Sequence, residues 1–303
     1  MASPPELNPG ADAPLVPTRG LRTPMQDATA ALLADRWAVA GLLIVLVYLV
    51  LAVGVWTGLW ATGWSEIGAT RWGEPSREAW FGTNLIGQDI FQRAVASSRT
   101  AFEVGVIVAL ASTVLGAVLG GLAGYFAGTW VDALVLWLKG TLDAIPFYLL
   151  VAAIAFALKG NPWAMHIAMT ATFWTTTGRL VRGEVLRLKN REFVEAARSI
   201  GLPDRIILSR HILPNTLPVL LVQATLTFVA AIKSEVILSF LGLGIRDGVS
   251  WGLMIAESTQ DVLAGHYMNF IAASGFLFVL VMGFNLFADG LQDALDPRRG
   301  ASR

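Results

Sequence analysis

The feature of this sequence that most constrains its fold is a set of long segments without a single charged residue. They cover residues 37–65, 104–131, 160–178, 212–232 and 267–288. Each is close to or longer than the ~18 apolar residues that a helix needs to cross a bilayer. The pattern therefore predicts an all-α membrane protein.

A sixth apolar segment, residues 144–158, is short for a membrane span. It becomes long enough if its helix begins near Val131 and includes Lys139 and Asp143, whose i,i+4 spacing brings the two charges together. We therefore expect about six membrane-spanning helices. Only 15% of the residues are charged and the net charge is zero, which argues against a basic nucleic-acid binder. The chain has no cysteine, so it contains no disulfide.

The first 36 residues differ from the rest, because they hold six of the 13 prolines and no apolar periodicity. This composition predicts a disordered tail, followed by a membrane domain over residues 37–299. If the tail is cytoplasmic, fourteen lysines and arginines fall on its side of the membrane and six on the other. The positive-inside rule then places both termini in the cytoplasm and the segment 66–100 outside. Part of that segment, residues 81–99, has the pattern of an amphipathic helix packed on the membrane or the bundle.

Glycines recur at every fourth position of the second span, at Gly116, Gly120, Gly124 and Gly128. Small residues at this spacing allow another helix to approach closely in lipid. We expect leucine at position 120 to disrupt the contact and alanine to be tolerated. A nucleotide-binding P-loop is excluded, because the chain has no Gly-Lys pair.

Two charged residues, Lys233 and Glu235, lie in or just beyond the fifth span. Charges at this depth are costly and often functional, so the two residues are candidates for the solute pathway. The alternative is a pair at the outer membrane interface, with the lysine reaching water.

Residues 248–252 match the G-x-S-x-G pattern of serine hydrolases, and His266 could be imagined as the base. That pattern has meaning only at a strand-to-helix turn, and the surrounding segments predict helices. A turn before the last span is therefore the preferred interpretation, with an intramembrane hydrolase as the alternative.

The segment 191–215, REFVEAARSIGLPDRIILSRHILPN, concentrates charge in the middle of an apolar chain. Its first part is amphipathic, with one side formed by Phe193, Val194, Ala197 and Ile200. Gly201 followed by Pro203 predicts a sharp helix end, and a second short helix is predicted from about Asp204 to Pro214. A solvated loop needs neither feature, whereas a helix that docks in a partner's groove needs both.

These residues carry a family resemblance. Glu195-Ala196-Ala197, Gly201 and the later HILP resemble the EAA motif of bacterial ABC importer permeases, and RHILPN resembles its dipeptide and oligopeptide branch. Further similar stretches are FGTNLIGQD, GYFAG, LSFLGLG, SWG and FNLFADGLQDALDPR. The resemblance covers residues 37–299 and is to the second of the two permeases in such systems.

The resemblance implies a type I ABC importer permease fold in the bacterial inner membrane. It implies a sister permease, two ABC ATPase subunits and an extracytoplasmic solute-binding protein as partners, with no nucleic acid. The chain itself would be no enzyme and would bind no cofactor, because ATP and Mg²⁺ belong to the ATPase subunits. The ATPase contact would lie in a coupling loop at about 182–215, formed by Glu195, Ala196, Ala197, Arg198, Gly201, Pro203 and Ile207.

The cargo implied by the resemblance is a dipeptide or oligopeptide. Asn84 and Gln88 stand where the branch usually has Asp and Arg, and the family also imports nickel, glutathione and oligosaccharides, so these solutes remain alternatives. A secondary, ion-coupled transporter is the alternative from another class. It would typically show paired spans broken by glycine or proline, or buried carboxylates, whereas the sequence has one candidate charge pair, Lys233 and Glu235, and no internal repeat.

Overall fold

A computed structural model describes residues 24–68, 70–158, 160–244 and 248–295 of the chain. The first six helices are α1 (Pro24–Ala34), α2 (Arg36–Trp56), α3 (Ile90–Tyr125), α4 (Trp130–Asp143), α5 (Phe147–Ala157) and α6 (Ala164–Leu188). Next come α7 (Glu192–Ser199), α8 (Asp204–Ile206), a π-helical stretch (Ile207–Ile212), a 3₁₀ turn (Leu213–Thr216), α9 (Leu217–Phe240), α10 (Trp251–Leu263) and α11 (Met268–Leu295). Within these ranges, β-structure is limited to one isolated β-bridge, between Thr83 and Asp89. The predicted all-α class is confirmed.

Four helices of the described chain are long and apolar enough to cross a membrane: α2, α3, α11 and the continuous run Asp204–Phe240. The pair α4 and α5, bent by 96°, adds a fifth if it forms one span. The expected number was about six. The difference is α6, which contains residues 164–178 of the predicted span 160–178 but carries several threonines, His166 and arginines that lower its apolar content.

Helix α3 lies at the centre of the bundle and packs against α2, α6 and α9. Phe102 of α3, Phe228 of α9 and Phe284 of α11 join three of the helices through ring contacts, with centroids 4.1 to 6.2 Å apart. The outer face of α2 leaves large aliphatic side chains such as Leu43 and Val50 exposed. Such aliphatic side chains suit contact with lipid acyl chains, since they carry no polar group that would have to be desolvated.

The N-terminal region departs from the prediction. A disordered tail was expected up to residue 36, but residues 24–34 form α1, which packs on α11, and residues 1–23 lie outside the described ranges. Pro24 is compatible with the first turn of a helix, and the alanines that follow favour helix formation. Asp35 then caps α2, because its carboxylate accepts a hydrogen bond of 2.8 Å from the backbone N–H of Trp37.

The loop that precedes α3 is held on the bundle by one buried carboxylate. Asp261 of α10 accepts hydrogen bonds from Trp72 Nε1 (2.9 Å), the backbone N–H of Leu85 (3.1 Å) and Asn269 Nδ2 (2.9 Å). The amphipathic helix predicted over residues 81–99 begins only at Ile90, as the buried first turns of α3. Helix α10 itself was not predicted, because its residues show no long apolar run, although Ser250 caps its first turn by accepting a hydrogen bond from the backbone N–H of Leu253 (3.2 Å).

Candidate functional site: the segment between α6 and α9

Helix α7 ends as its sequence predicts. Gly201 adopts a left-handed conformation with φ of +78°, which confirms the predicted helix end. The backbone N–H of Leu202 donates to the carbonyl of Ala197 (3.2 Å), and that of Gly201 donates to Arg198 (2.9 Å). This pair of bonds is the Schellman motif, in which the residue in the left-handed conformation is usually glycine. The chain therefore leaves α7 in one fixed direction.

The apolar side of α7 is narrower than predicted. Val194 and Ala197 are buried against the end of α6 and the π-helical stretch, but Phe193 is half exposed and Ile200 is 75% exposed. The exposed part of α7 therefore combines the apolar side chains of Phe193 and Ile200 with charged residues such as Glu195, which lies on the opposite side of the helix. A surface of this mixed composition is typical of a protein contact, where apolar anchors are surrounded by polar groups.

Ile207 does not belong to that outward surface. Its side chain is fully buried beneath α7 and therefore supports the helix from the inside, which contradicts its predicted place in a partner contact. Pro203 is exposed and precedes α8. The second helix does not stop at Pro214, because the π-helical and 3₁₀ stretches accommodate the missing proline N–H and continue directly into α9.

Tyr125, the last residue of α3, contacts the segment at three places. Its hydroxyl donates a hydrogen bond to the carboxylate of Asp204, and its backbone carbonyl accepts one from Lys189 Nζ (3.4 Å). The guanidinium of Arg198 lies 5.8 Å from the centre of its ring, within cation–π range. Sequence reasoning missed this role, and the available signal was the tyrosine of GYFAG at the end of a predicted span.

An ion pair joins α4 to α6 at the same end of the bundle. Arg182 donates to both carboxylate oxygens of Asp132, at 2.8 and 2.9 Å, and the backbone N–H of Gly128 donates to the same carboxylate at 3.1 Å. Two parallel bonds between a guanidinium and a carboxylate fix the relative orientation of the two groups. The pair therefore holds the start of α4 against α6.

Three of the four predicted packing glycines face α6. A Cβ atom at Gly116 would lie 2.6 Å from Thr177 Cβ, one at Gly120 would lie 2.3 Å from Gly178 O, and one at Gly124 would lie 2.8 Å from Arg182 O. The predicted place of Gly128 in this contact is wrong. It follows the end of α3, has a φ of +83° and has no atom within 4 Å of its Cβ position.

The predicted pathway residues point away from each other. Glu235 is buried and accepts a hydrogen bond from the Ser239 hydroxyl, whereas Lys233 is exposed. They form neither the expected interface pair nor a shared polar surface. The hydrolase alternative also fails, because Ser250 and His266 flank the 13-residue helix α10 and are therefore roughly 20 Å apart.

The comparisons with known proteins agree with these features. Residues 112–300 match the family described as "Binding-protein-dependent transport system inner membrane component". The chain belongs to this family. Both the glycine contact with α6 and the segment between α6 and α9 lie within the matched range of this transport-system component.

Individual relatives match the permease over most of its length. It is 36% identical to the dipeptide transport system permease protein DppC of Bacillus subtilis, over 90% of this chain and 85% of the relative. It is 37% identical to the oligopeptide transport system permease protein OppC of the same organism, over 74% and 73%. The glutathione transport system permease protein GsiD of Pectobacterium atrosepticum is 35% identical, over 95% and 96%.

Proposed function

We propose that this permease is one of two membrane subunits of an ATP-driven importer that translocates dipeptides or oligopeptides delivered by an extracytoplasmic binding protein. The peptide cargo is supported by the relatives, which carry the names of dipeptide, oligopeptide and glutathione systems. Glutathione is itself a tripeptide, so one class of solute accounts for all three names.

The main support for the proposal is the exposed surface of α7, a helix that is attached to the bundle by the buried residues on its other side. Glu195, Ala196 and Arg198 are exposed, while Val194 and Ala197 beneath them are buried. An ATPase groove that receives α7 would therefore contact a surface whose position relative to α3 and α6 is fixed. Nucleotide and Mg²⁺ would bind to the two ATPase subunits, and the permease would carry no catalytic group.

The contacts behind α7 suggest how closure of the ATPases reaches the membrane. Force on α7 passes to α3 through the contacts of Tyr125 with Asp204 and Arg198, and to α9 through the continuous run that starts at Asp204. Because α3 and α6 are in backbone contact, the two helices would move together. The helices would thus tilt as a unit between inward-open and outward-open states.

The proposed arrangement places both termini and α7 in the cytoplasm. Helix α6 supports it, since its contacts with α3 progress in parallel along both helices, from Gly116 near Trp174 to Gly124 near Val185. With 25 residues, α6 is also long enough to cross the bilayer beside α3. If α6 and the bent pair of α4 and α5 each count as one span, the four apolar helices bring the total to six. An even number of spans would place both termini on the same side of the membrane.

The test of the proposed function is purification of the permease from its native membrane, followed by identification of the bound subunits and by reconstitution. We expect a sister permease and ATPase subunits to co-purify, and dipeptide uptake into proteoliposomes to require both ATP and the binding protein. Recovery of the permease alone, with uptake driven by an ion gradient, would refute the proposal in favour of a secondary transporter.

Glu195 provides the variant test of the α7 contact. Glu195→Lys reverses a charge that would face the ATPase, and in a partly desolvated contact this should cost about 2 kcal/mol and release the ATPase subunits. Glu192→Lys is the control, because it makes the same charge change on α7 outside the EAA motif. Equal subunit loss in both variants would indicate an effect of helix charge rather than a contact at Glu195.

A further inference from the structure

A cavity of about 1160 Å³ opens at the end of the bundle opposite α7. Its walls come from the first turns of α3, the end of α5, the start of α6 and residues 242–244 and 248–249. This volume exceeds the ~300–1,000 Å³ of typical small-molecule sites, so a short peptide would fit. Neither Lys233 nor Glu235 lies in its wall, whereas Arg99, Glu103 and His166 do.

His166 is a buried polar group that the described part of the chain does not satisfy. Its side chain is only 4% exposed, and neither ring nitrogen has a hydrogen-bond partner. Buried polar side chains in proteins nearly always have at least one partner. Because His166 lines the cavity, a molecule that enters the cavity can supply that partner once the ring turns toward it.

Arg99 and Glu103 place opposite charges on the same wall. They are one helical turn apart on α3, and their side chains are 52% and 33% exposed. The distance from Arg99 Nε to Glu103 Oε2 is 3.9 Å, which is longer than a hydrogen bond. The guanidinium can therefore still donate to a carboxylate, and the carboxylate can still accept from an ammonium group.

We infer that Arg99, Glu103 and His166 form a contact site for the translocated peptide, an inference that rests on the proposed function. Arg99 binds the peptide carboxylate, Glu103 binds the ammonium group, and the ring of His166 forms a hydrogen bond with the peptide backbone. A peptide with free termini carries both charges and several amides, and the wall offers a complement to each. All three residues lie on the side of the bundle that would face the binding protein.

The experiment uses the purified complex in proteoliposomes with its binding protein. Uptake of dialanine and of its C-terminal amide is measured at concentrations that saturate the binding protein, together with ATP hydrolysis in the absence of binding protein. The variants are Arg99→Gln, Arg99→Lys and His166→Ala. Arg77→Gln is the matched control, because Arg77 is exposed in the loop before α3 and does not line the cavity.

Arg99→Gln should lower dialanine uptake by about tenfold or more, because it removes a charge-assisted hydrogen bond. It should also abolish the preference for the free acid over the amide, while hydrolysis without binding protein stays unchanged. Arg99→Lys should retain part of the uptake and of the preference, and His166→Ala should lower the uptake of both substrates severalfold. Arg77→Gln should behave like the wild type.

Three outcomes would contradict the inference. Wild-type uptake in both Arg99→Gln and His166→Ala would show that the cavity is not a peptide contact, while leaving the importer function intact. Loss of the sister permease from both variants on purification would make the cavity a subunit interface instead. A wild-type complex that holds its ATPases but takes up no peptide would refute the proposed cargo, and the site with it.

Discussion

At the scale of single residues, the least expected contacts of this permease converge on Tyr125. The side chain and the backbone carbonyl of this residue contact Lys189 before α7, Arg198 within α7 and Asp204 at the start of α8. Tyr125 therefore contributes to the position of α7 relative to α3, together with the buried contacts of Val194 and Ala197. Its ring and its hydroxyl make different contacts, so their contributions can be separated.

Tyr125→Phe removes the hydroxyl and keeps the ring beside Arg198. The lost hydrogen bond to a carboxylate is worth about 1.5–3 kcal/mol, so α7 should be held less firmly. We expect ATPase subunits to remain bound but peptide uptake per ATP hydrolysed to fall severalfold in proteoliposomes. Tyr148→Phe removes a hydroxyl from the exposed side chain on α5 and should have no such effect. An unchanged ratio in Tyr125→Phe would show that the hydroxyl does not contribute to coupling.

Gly201 tests the direction in which the chain leaves α7. Its φ of +78° strains a β-branched residue, at a cost of about 1–3 kcal/mol. Gly201→Val should leave the permease in the membrane but weaken its retention of ATPase subunits during purification. Gly201→Asn should retain them, since asparagine tolerates the left-handed conformation. Equal retention by the valine variant would mean that the helix end does not set the partner contact.

At the scale of helices, the contact between α3 and α6 is tighter than the sequence suggested. The spacing of Gly116, Gly120 and Gly124 identified the stripe, but it could not identify the neighbour. That neighbour is a backbone at Gly178, so even a methyl group at position 120 would lie 2.3 Å from a carbonyl oxygen. This distance argues against the expectation that alanine is tolerated there.

Gly120→Ala should force the two helices apart and destabilise the bundle by about 1–3 kcal/mol, the usual cost of overpacking. A lower melting temperature of the purified complex and reduced uptake would show this. Gly183→Ala on α6 serves as the control, because a Cβ there meets no atom within 4 Å. If the two variants melt at the same temperature, the close contact at Gly120 does not limit stability.

At the scale of the whole molecule, the sequence predicted what depends on composition and local pattern. Apolar runs identified the spans, and Gly201 with Pro203 identified the end of α7. The pairing of helices depends instead on contacts between distant residues, which a single sequence does not reveal. For this reason three features became visible only in the fold. They are the attachment of α7 to the bundle, the buried position of Ile207 and the separation of Lys233 from Glu235.

The orientation in the membrane can be tested directly, because the chain has no cysteine of its own. Ser76→Cys lies in the loop before α3, and Ser199→Cys lies at the end of α7. Both positions are exposed. A membrane-impermeant thiol reagent should label only Ser76→Cys in intact cells and only Ser199→Cys in inverted vesicles. Labelling of Ser199→Cys from outside would overturn the topology.

The continuous run from Asp204 to Phe240 contains 37 residues. At 1.5 Å per residue it is about 55 Å long, almost twice the ~30 Å thickness of the hydrocarbon core. The helix is therefore much longer than the hydrocarbon core is thick, and α7 lies next to its projecting N-terminal end. Tilting a rod of this length by about 5° moves its far end by about 5 Å. Under the proposed function, a modest rocking of the ATPases would thus be enough to change the width of an opening on the opposite side of the bilayer.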